Sequence, residues 1–219
     1  MSKMVFFASD LHAFHRSILA FSPSRIKVLG LNYNASEIAE QDKIRRDKSA
    51  SGDQKKLAKS FIEQVTKDYN EALVEQWNDT VALTDMVYNL GDVSFAQHRE
   101  DTKKILARMN GIMHLVRGNH DHKIEDSGRF EWIKDYYEFK ERGHHFVLFH
   151  FPISSWHQKE RGSIALSGHM HGTPTGVTGK TLDVGMESIG KVAIEMDEVI
   201  QIMKTKPIES VRNDRLRDD

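Results

Sequence analysis

The sequence predicts an α/β fold whose reactive side chains gather at one edge of its β-structure. Two observations support this prediction. Short apolar runs typical of buried strands alternate with segments of helical periodicity, and five of these runs end in Asp, His, Asn or Gly-His. In open α/β sheets the loops after the carboxyl ends of the strands converge, so five such ends indicate one shared site.

The N-terminal half begins with a strand and continues into a long charged stretch. "MVFFASD" is typical of a buried strand that enters a polar turn, and "LHAFHRSILAF" predicts a helix after it. From about residue 32 to 80 the chain is highly charged, and we expect a helical insertion with a flexible break at "SASGDQ". Its second half has the four-residue apolar spacing of an amphipathic helix, at Phe61, Val65, Tyr69, Leu73 and Trp77.

The second half of the chain repeats the pattern of a strand followed by polar residues. "DMVYNLGDVSF" and "GIMHLVRGNHDH" predict strands joined by the helix "EDTKKILARMN", which Gly111 ends. "HHFVLFHFP" and "SIALSGHMHG" predict two more, each ending in His. We further expect strands at "KTLDVGM" and "KVAIEM", a closing helix at "DEVIQIMKTK" capped by Asp197, and a frayed charged tail from residue 209.

Composition limits the function classes. The chain has 219 residues, which favours a single domain, 1–219, that includes the insertion. It contains no Cys, which excludes disulfides, thiolate zinc sites and cysteine nucleophiles and fits a cytoplasmic location. A net charge of -1 and the lack of any run of roughly 18 apolar residues give no case for a membrane. The basic run "DKIRRDK" is interleaved with acids, so nucleic-acid binding is possible but not favoured.

The polar residues at the five strand ends form a set of metal-ligand type. The blocks are Asp10-Leu11-His12, Gly91-Asp92, Gly118-Asn119-His120-Asp121, His150 and Gly168-His169-Met170-His171. Carboxylate, imidazole and amide ligands without a thiolate suit Mn, Fe, Zn, Ni or Co. Seven candidate ligands are too many for one tetrahedral ion and suit two ions that share a carboxylate. Two ions about 3.5 to 4 Å apart are the arrangement used for in-line displacement at phosphorus.

These five blocks, in this order, resemble the calcineurin-like metallophosphoesterase superfamily, whose motifs are D-x-H, G-D, G-N-H-D/E, H and G-H-x-H. The resemblance runs from Met4 to about Gly172, apart from the charged stretch before Thr80. "SDLHAFHRSILAF" and "WNDTVALTDMVYNLGDVSF" are also similar to a subgroup of small bacterial and bacteriophage members. The resemblance implies a four-layer α/β/β/α sandwich.

The resemblance also implies a role for each motif residue. It implies two divalent metal ions, with Mn favoured, and distributes their ligands: Asp10, His12 and His171 on one ion, Asn119, His150 and His169 on the other, and Asp92 bridging both. His120 matches the general acid that protonates the leaving oxygen. Asp121 matches the acidic residue that orients and tunes that His.

Several other residues have two interpretations. His15 matches a His of the subgroup and either faces the substrate or simply begins a helix. Arg117 either holds phosphate with its planar guanidinium or forms a structural ion pair with Asp121 or the tail. We expect ordinary surface positions for His98, His144 and His157, and a core position for Met186.

We therefore expect a phosphodiesterase that acts on a nucleotide or another small phosphoester by attack of metal-activated hydroxide. A phosphomonoesterase is the alternative, and a nuclease or a non-catalytic interaction module is less favoured because every ligand position and His120 are intact. Asp92 is followed by "VSFAQ" and not by the V-D-R-G of the superfamily's protein phosphatases, which disfavours that activity. We expect residues from about 32 to 59 to form a mobile cap beside the metals that selects substrate. The sequence leaves the oligomeric state open.

Overall fold

A computed structural model describes residues 3–122, 124 and 127–209 of the chain. In chain order its elements are β1 (Val5–Ala8), α1 (Ile18–Phe21), α2 (Ser24–Val28), α3 (Ala35–Arg46), α4 (Gly52–Thr80), β2 (Met86–Asn89), α5 (Arg99–Ala107), β3 (Ile112–Val116), β4 (Phe130–Lys134), β5 (Tyr136–Glu141), β6 (His144–Phe149), β7 (Ile164–Ser167), β8 (Thr181–Asp183), α6 (Met186–Ile189), β9 (Ile194–Glu195) and α7 (Met196–Lys204). None of these helices is long and apolar enough to cross a membrane.

The strands form two sheets. The first has the order β4-β3-β2-β1-β9, in which β1 to β4 run parallel and β9 pairs antiparallel with β1. The second has the order β5-β6-β7-β8, with an antiparallel β5–β6 pair followed by parallel pairs. This arrangement confirms the predicted α/β class.

The two sheets pack face to face through one apolar cluster. The Phe7 ring of the first sheet stacks on Phe146 of the second, with ring centroids 5.5 Å apart. Strand residues alternate in direction, so Phe6 points to the other side, into the cluster beneath the helices. Helix α7 joins the inter-sheet cluster through Val199 and Met203.

Helices cover the outer face of the first sheet, and α4 supplies much of that contact. Val65, Tyr69, Leu73 and Trp77 are buried in the same cluster as the strand residues, which confirms the amphipathic helix. Phe61 is only partly buried, and its neighbour Ile62 takes the buried position. The reason is geometric, because each four-residue step turns a side chain by about 40° around an α-helix.

The outer face of the second sheet is covered by a connecting segment. Val147 and Ala165 pack against Trp156, which lies between β6 and β7, and Ile153 and Val177 complete this cluster. The observed layers are therefore helices, sheet and sheet, and the fourth helical layer is not confirmed.

The charged stretch folds into two helices joined by a turn. Asp47 accepts a hydrogen bond from the Ser49 backbone N–H, and Ser51 forms a capping box with Gln54 at the start of α4. Helix α3 packs against α1 and α4, and its buried Asp42 accepts a hydrogen bond from the Ser17 hydroxyl. The first half of the predicted break, residues 49–51, thus lies between α3 and α4, whereas residues 52–54 form the first turn of α4.

The predicted cap of the closing helix is wrong. Helix α7 begins at Met196, with Glu195 at the N-cap position, so Asp197 lies in its first turn. There its carboxylate forms an ion pair with Arg142 and lies near the positive end of the helix dipole. Met186 is buried in the core, as predicted. The predicted frayed tail lies outside the described residues after Glu209.

Candidate metal centre

The candidate ligands come from the carboxyl ends of strands in both sheets. Asp10 and His12 follow β1, Asp92 follows β2 and Asn119 follows β3. The second sheet contributes one residue after β6 and two after β7, namely His150, His169 and His171. Because both sheets end their parallel strands here, the loops meet at the junction between the sheets.

The structure brings six of these side chains into two groups of three. In each group the ligand atoms lie within 4.8 Å of one another, the first being Asp10, His12 and His171 and the second Asp92, His150 and His169. Asn119 Oδ1 lies 3.0 Å from His150 Nε2 and so adjoins the second group. The resemblance implied that Asn119, His150 and His169 hold the second ion and that Asp92 bridges both ions, and this assignment stays a prediction.

Asp92 belongs to the second group and also faces the first. Its Oδ2 atom is 3.8 Å from His12 Nε2 in the first group and 3.7 Å from His150 Nε2 in the second. A single carboxylate oxygen thus faces a candidate ligand nitrogen on either side. This is the arrangement that a shared, bridging carboxylate requires.

The first group contains buried polar atoms without a protein partner. Asp10 Oδ1 and His12 Nε2 make no hydrogen bond within the described part of the chain. A buried carboxylate oxygen left in this state is costly unless a cation or proton satisfies it. The donor set therefore fits a divalent cation held by oxygen and imidazole nitrogen.

The backbone at these ligands is strained. Positive φ angles occur at Asp10 (56°), His12 (51°), Asp92 (54°), His169 (71°) and His171 (47°). For residues other than Gly, each such conformation costs about 1–3 kcal/mol and persists where the surrounding structure enforces it. The concentration of this strain at the candidate ligands is characteristic of a functional site.

Two glycines allow backbone to approach the carboxylates closely. A Cβ at Gly168 would lie 2.3 Å from Asp10 Oδ2, and one at Gly118 would lie 2.3 Å from Asp92 Oδ1. Gly91 differs from these two, because its φ of 103° lies in the left-handed region that favours glycine and permits a sharp turn. For Gly118 and Gly168 the reason is lack of space and not a left-handed backbone.

Two of the candidate ligand histidines are oriented by an oxygen atom near their other ring nitrogen, Nδ1. His150 Nδ1 lies 2.6 Å from the Leu90 carbonyl oxygen, which leaves Nε2 directed at Asp92. His171 Nδ1 lies 2.9 Å from Glu187 Oε1, and its Nε2 lies 3.7 Å from Asp10 Oδ1. Histidines that bind metals characteristically use their other ring nitrogen in this way.

The sequence-based prediction missed Glu187 and its partner Arg25. The Arg25 guanidinium is fully buried and donates to both Glu187 oxygens, at 2.7 and 2.9 Å, and to the Asp10 carbonyl at 2.8 Å. Burial alone would raise the pKa of Glu187, but the His171 hydrogen bond and the Arg25 charge outweigh it and hold the pKa below its ordinary value. Arg25 therefore holds the Asp10 backbone, and Glu187 holds the His171 ring, in the first ligand group.

His120 is exposed at the edge of the site and belongs to neither ligand group. Its backbone N–H donates to Asp92 Oδ1 at 2.9 Å, which places it beside the central carboxylate. Its ring lies 4.5 Å from that of Phe95, measured between centroids. A role for His120 as the general acid stays a prediction.

Asp121 does not make the contact that we expected. Its two carboxylate oxygens accept hydrogen bonds from the backbone N–H groups of Asp92, Gly118 and Val93, at 2.8, 2.8 and 3.0 Å. Burial raises the pKa of this carboxyl despite the three bonds. Asp121 therefore fixes the loops that hold the ligands, and the structure gives it no direct hydrogen bond to the described His120 ring.

His15 connects the metal centre to the larger of two adjoining cavities. Its ring stands edge-on to His12 and Phe95, with centroids 5.5 and 4.4 Å apart. Burial lowers the pKa of His15 to about 4, so its ring is neutral at neutral pH. The cavity has a volume of about 710 Å³, and both His15 and Phe95 line it. A role for His15 at the substrate stays a prediction, and its position agrees with it.

The walls of this cavity come from other elements than the expected cap. Residues of the second half of α4, from Glu63 to Glu71, line one side, and residues of α5 line another. No residue of the segment 32–59, which lies entirely within the described chain, lines it. His98, expected as an ordinary surface residue, also borders the cavity. The substrate-selecting role proposed for 32–59 therefore has no support from the cavity.

Arg117 forms an ion pair with Asp135, a residue at the end of β4. This is a structural ion pair of the kind considered above, but its partner is neither Asp121 nor the tail, which is not described beyond Glu209. The pair lies between the ends of two adjacent strands, β3 and β4.

Comparisons with known proteins identify uncharacterized relatives. No protein-family model matches the chain. The uncharacterized protein MJ1445 of Methanocaldococcus jannaschii is 26% identical over 155 residues, which cover 68% of this chain and 82% of that protein. The gene 66 protein of Mycobacterium phage D29 is 28% identical over 167 residues, 62% of this chain and 83% of the phage protein.

Two solved structures are similar to different degrees. The protein of unknown function AQ665 from Aquifex aeolicus has a TM-score of 0.61 at 18% identity, covering 92% of this chain and 100% of that one, and shows a shared fold. YfcE, a phosphoesterase from E. coli, has a TM-score of 0.38 at 17% identity, covering 87% and 80%. That score is too low to support an argument about this chain.

Proposed function

We propose that this protein is a metal-dependent phosphoesterase of the calcineurin-like type, with two divalent ions at the candidate metal centre and small phosphodiesters as substrates. One observation carries the proposal. The Asp92 carboxylate, a member of the second group, has one oxygen less than 4 Å from both His150 Nε2 of its own group and His12 Nε2 of the first group. A structural metal site needs one closed ligand set, whereas a shared carboxylate joins two ions into one reactive centre.

The ligand assignment follows the two groups. Asp10, His12 and His171 would hold one ion, His150, His169 and Asn119 the other, and Asp92 both. When bound, such a pair supplies a hydroxide nucleophile at neutral pH and neutralises the phosphoryl oxygens. Only Asp10 and Asp92 contribute negative charge, so the loaded centre keeps a net positive charge that attracts a phosphate ester. Manganese, iron, zinc, nickel and cobalt all suit these ligands, none of which is a thiolate, and we propose manganese.

His120 would act as the general acid. Its ring belongs to neither ligand group, it is exposed to an incoming substrate, and its backbone is held to Asp92 by a hydrogen bond of 2.9 Å. A donor in this position protonates the oxygen that leaves phosphorus. The three backbone hydrogen bonds to Asp121 keep the loop that carries His120 in place.

The adjoining cavity supports a small substrate. Its volume of about 710 Å³ lies within the usual range for small-molecule sites, and it begins beside His12, at His15 and Phe95. Its walls carry both basic and acidic side chains, among them Lys67, Lys104 and Asp101. A cavity of this size has room for one of the two groups esterified to phosphorus in a diester. A phosphomonoesterase stays the second candidate, because the metal centre serves both reactions.

A nucleic-acid substrate is less favoured. The basic run on α3 places Arg45 and Arg46 in ion pairs with the buried Asp42, so these arginines already have a structural partner. Their positive charge is partly offset within their own helix.

The proposal is tested by assaying the Mn-loaded protein on four substrates. These are bis-nitrophenyl phosphate, nitrophenyl phosphate, cyclic nucleotides and single-stranded DNA. We expect the two classes of small diester to be hydrolysed fastest, and Asp92→Ala to lose more activity than a change of any single His ligand. A protein that holds two Mn ions and hydrolyses none of the four would contradict the proposal.

A further inference from the structure

A separate group of imidazole and carboxylate ligands lies on the second sheet. It consists of Glu138, His145 and His157, here called the outer cluster, whose ligand atoms lie within 4.8 Å of one another. Glu138 Oε2 is 2.7 Å from His145 Nε2 and 2.8 Å from His157 Nδ1. His157 was expected to be an ordinary surface residue, and these contacts show that it is part of this cluster.

Strand pairing fixes two members of the outer cluster. In the antiparallel β5–β6 ladder Glu138 lies opposite Val147, and Lys140 lies opposite His145. Glu138 and His145 are therefore diagonal neighbours on one face of the sheet. Val147 packs against Trp156 on this face, and the next residue in the chain is His157. The third ligand is thus carried by the segment that covers the sheet.

Neighbouring groups orient two of the ligands. The Tyr136 hydroxyl donates to Glu138 Oε1 at 2.8 Å, which leaves Oε2 directed at both histidines. His145 Nδ1 lies 3.4 Å from Gln158 Oε1, and with its proton on Nδ1 the ring would present a lone pair at Nε2 to a bound ion. A hydrogen bond of this kind behind each ligand is the usual support of a metal site.

We propose that the outer cluster binds a zinc-class ion through two imidazole nitrogens and one carboxylate oxygen. Zinc accepts this ligand set in tetrahedral geometry, with a fourth position open to solvent. The exposed side of the cluster provides that position, because the His157 side chain is 58% exposed.

This site is distinct from the candidate metal centre. His145 lies on β6, and His150 lies five positions later, just after the strand ends. Five residues of extended chain span roughly 17 Å. The two sites share no ligand. Neither requires that the other be loaded, so the inference stands apart from the proposed activity.

An ion in the outer cluster would hold the segment after β6 against the sheet. That segment begins with Phe151, whose ring lies 4.9 Å from His150 and 4.7 Å from His169, measured between centroids. Zinc at the outer cluster therefore stabilises the fold, and it does so on a segment that borders the metal centre. A ligand that binds only the folded state stabilises it by RT ln(1 + [L]/Kd), so the stability rises with the zinc concentration.

The test compares zinc binding by three forms of the full chain. Metal-free wild type, His157→Gln and the control His144→Gln are titrated with zinc by calorimetry, and bound zinc is counted by elemental analysis. His144 precedes His145 on β6, so its side chain leaves the opposite face of the sheet. We expect His157→Gln to bind one zinc fewer than wild type and to lose part of the zinc-induced rise in Tm. His144→Gln should behave as wild type.

The outcomes separate this site from the metal centre. If His157→Gln binds as many zinc ions as wild type, with the same affinities, the inference is overturned. If wild type binds a single zinc that His157→Gln loses, the outer cluster is confirmed and the proposed dinuclear centre fails. Glu138→Gln is a second variant that removes a different ligand, and its retention of every zinc ion would also overturn the inference.

Discussion

Replacing Glu187 by Gln tests how far the metal centre depends on the residues behind it. The substitution keeps the shape of the side chain and removes its charge. Arg25, whose side chain is 0% exposed, would then lose the carboxylate that accepts two of its hydrogen bonds, at 2.7 and 2.9 Å. The Gln oxygen can still accept from the guanidinium, but it cannot neutralise it.

The expected magnitude follows from burial. Removing one partner of a buried ion pair lowers the free energy of unfolding by about 3–5 kcal/mol. Because the Gln oxygen can still accept a hydrogen bond from Arg25, we expect a loss of about 3 kcal/mol. That free energy corresponds to roughly 150-fold in the folding equilibrium. Glu71 provides a matched control, because it accepts a similar pair of bonds from Arg108 while the Arg108 and Glu71 side chains are 48% and 53% exposed. Glu71→Gln should cost less than about 1 kcal/mol.

Urea unfolding in chelator at pH 7 measures both losses, so that metal binding does not contribute. Equal losses in Glu187→Gln and Glu71→Gln would refute the reasoning from burial.

Titration of Glu187→Gln with Mn measures a second effect of the substitution, the change in metal affinity. His171 loses the carboxylate that orients it at 2.9 Å, and such losses weaken metal affinity by about 10- to 100-fold. Unchanged Mn affinity would show that Glu187 does not position His171.

Three further changes test other parts of the account. Gly168→Ala would place a Cβ 2.3 Å from Asp10 Oδ2 and should weaken Mn binding in calorimetry, whereas Gly52→Ala, where no atom lies within 4 Å of the added Cβ, should not. His120→Asn should keep both metals and lose much more rate on nucleoside esters than on nitrophenyl esters, because nitrophenyl leaving groups need little protonation. Equal losses of rate on the two kinds of ester would mean that another residue is the acid. Burial lowers the pKa of His114 below its ordinary 6.5, so the folded state resists protonation and loses stability as pH falls below that value. His114→Phe should reduce the difference in unfolding free energy between pH 7.5 and 5.5, and an unchanged difference would assign the pH dependence to other groups.

The strand ends that carry the candidate ligands were predictable because the signal for them is local in the sequence. Each motif places polar residues directly after an apolar strand, as in "MVFFASD" and "SIALSGH", and parallel strands bring these ends together. The stripe on α4 was predictable for the same reason, since helical spacing is visible within a few turns. The prediction fails at the start of this stripe, where Ile62 is buried and Phe61 is only partly buried. A strict four-residue spacing drifts around a helix that has 3.6 residues per turn.

The supporting residues were not predictable because their partners are distant. Arg25 and Glu187 are separated by 162 positions, and neither belongs to a motif. Asp121 was predicted to contact His120, its neighbour in the sequence. In the fold its carboxylate instead accepts hydrogen bonds from three backbone N–H groups. The charged composition predicted an insertion at 32–80, but only packing shows that the wall of the cavity comes from α4 after residue 59.

The central claim is that two metal ions act together on a phosphoester, and an Mn titration of the metal-free protein tests it most directly. The rate of bis-nitrophenyl phosphate hydrolysis is followed beside the electron paramagnetic resonance spectrum, in which ions bridged by a carboxylate give an exchange-coupled signal. We predict that the rate rises in proportion to the coupled signal and that Asp92→Ala removes both. Hydrolysis that follows the signal of isolated Mn, or a coupled pair without hydrolysis, would contradict the claim.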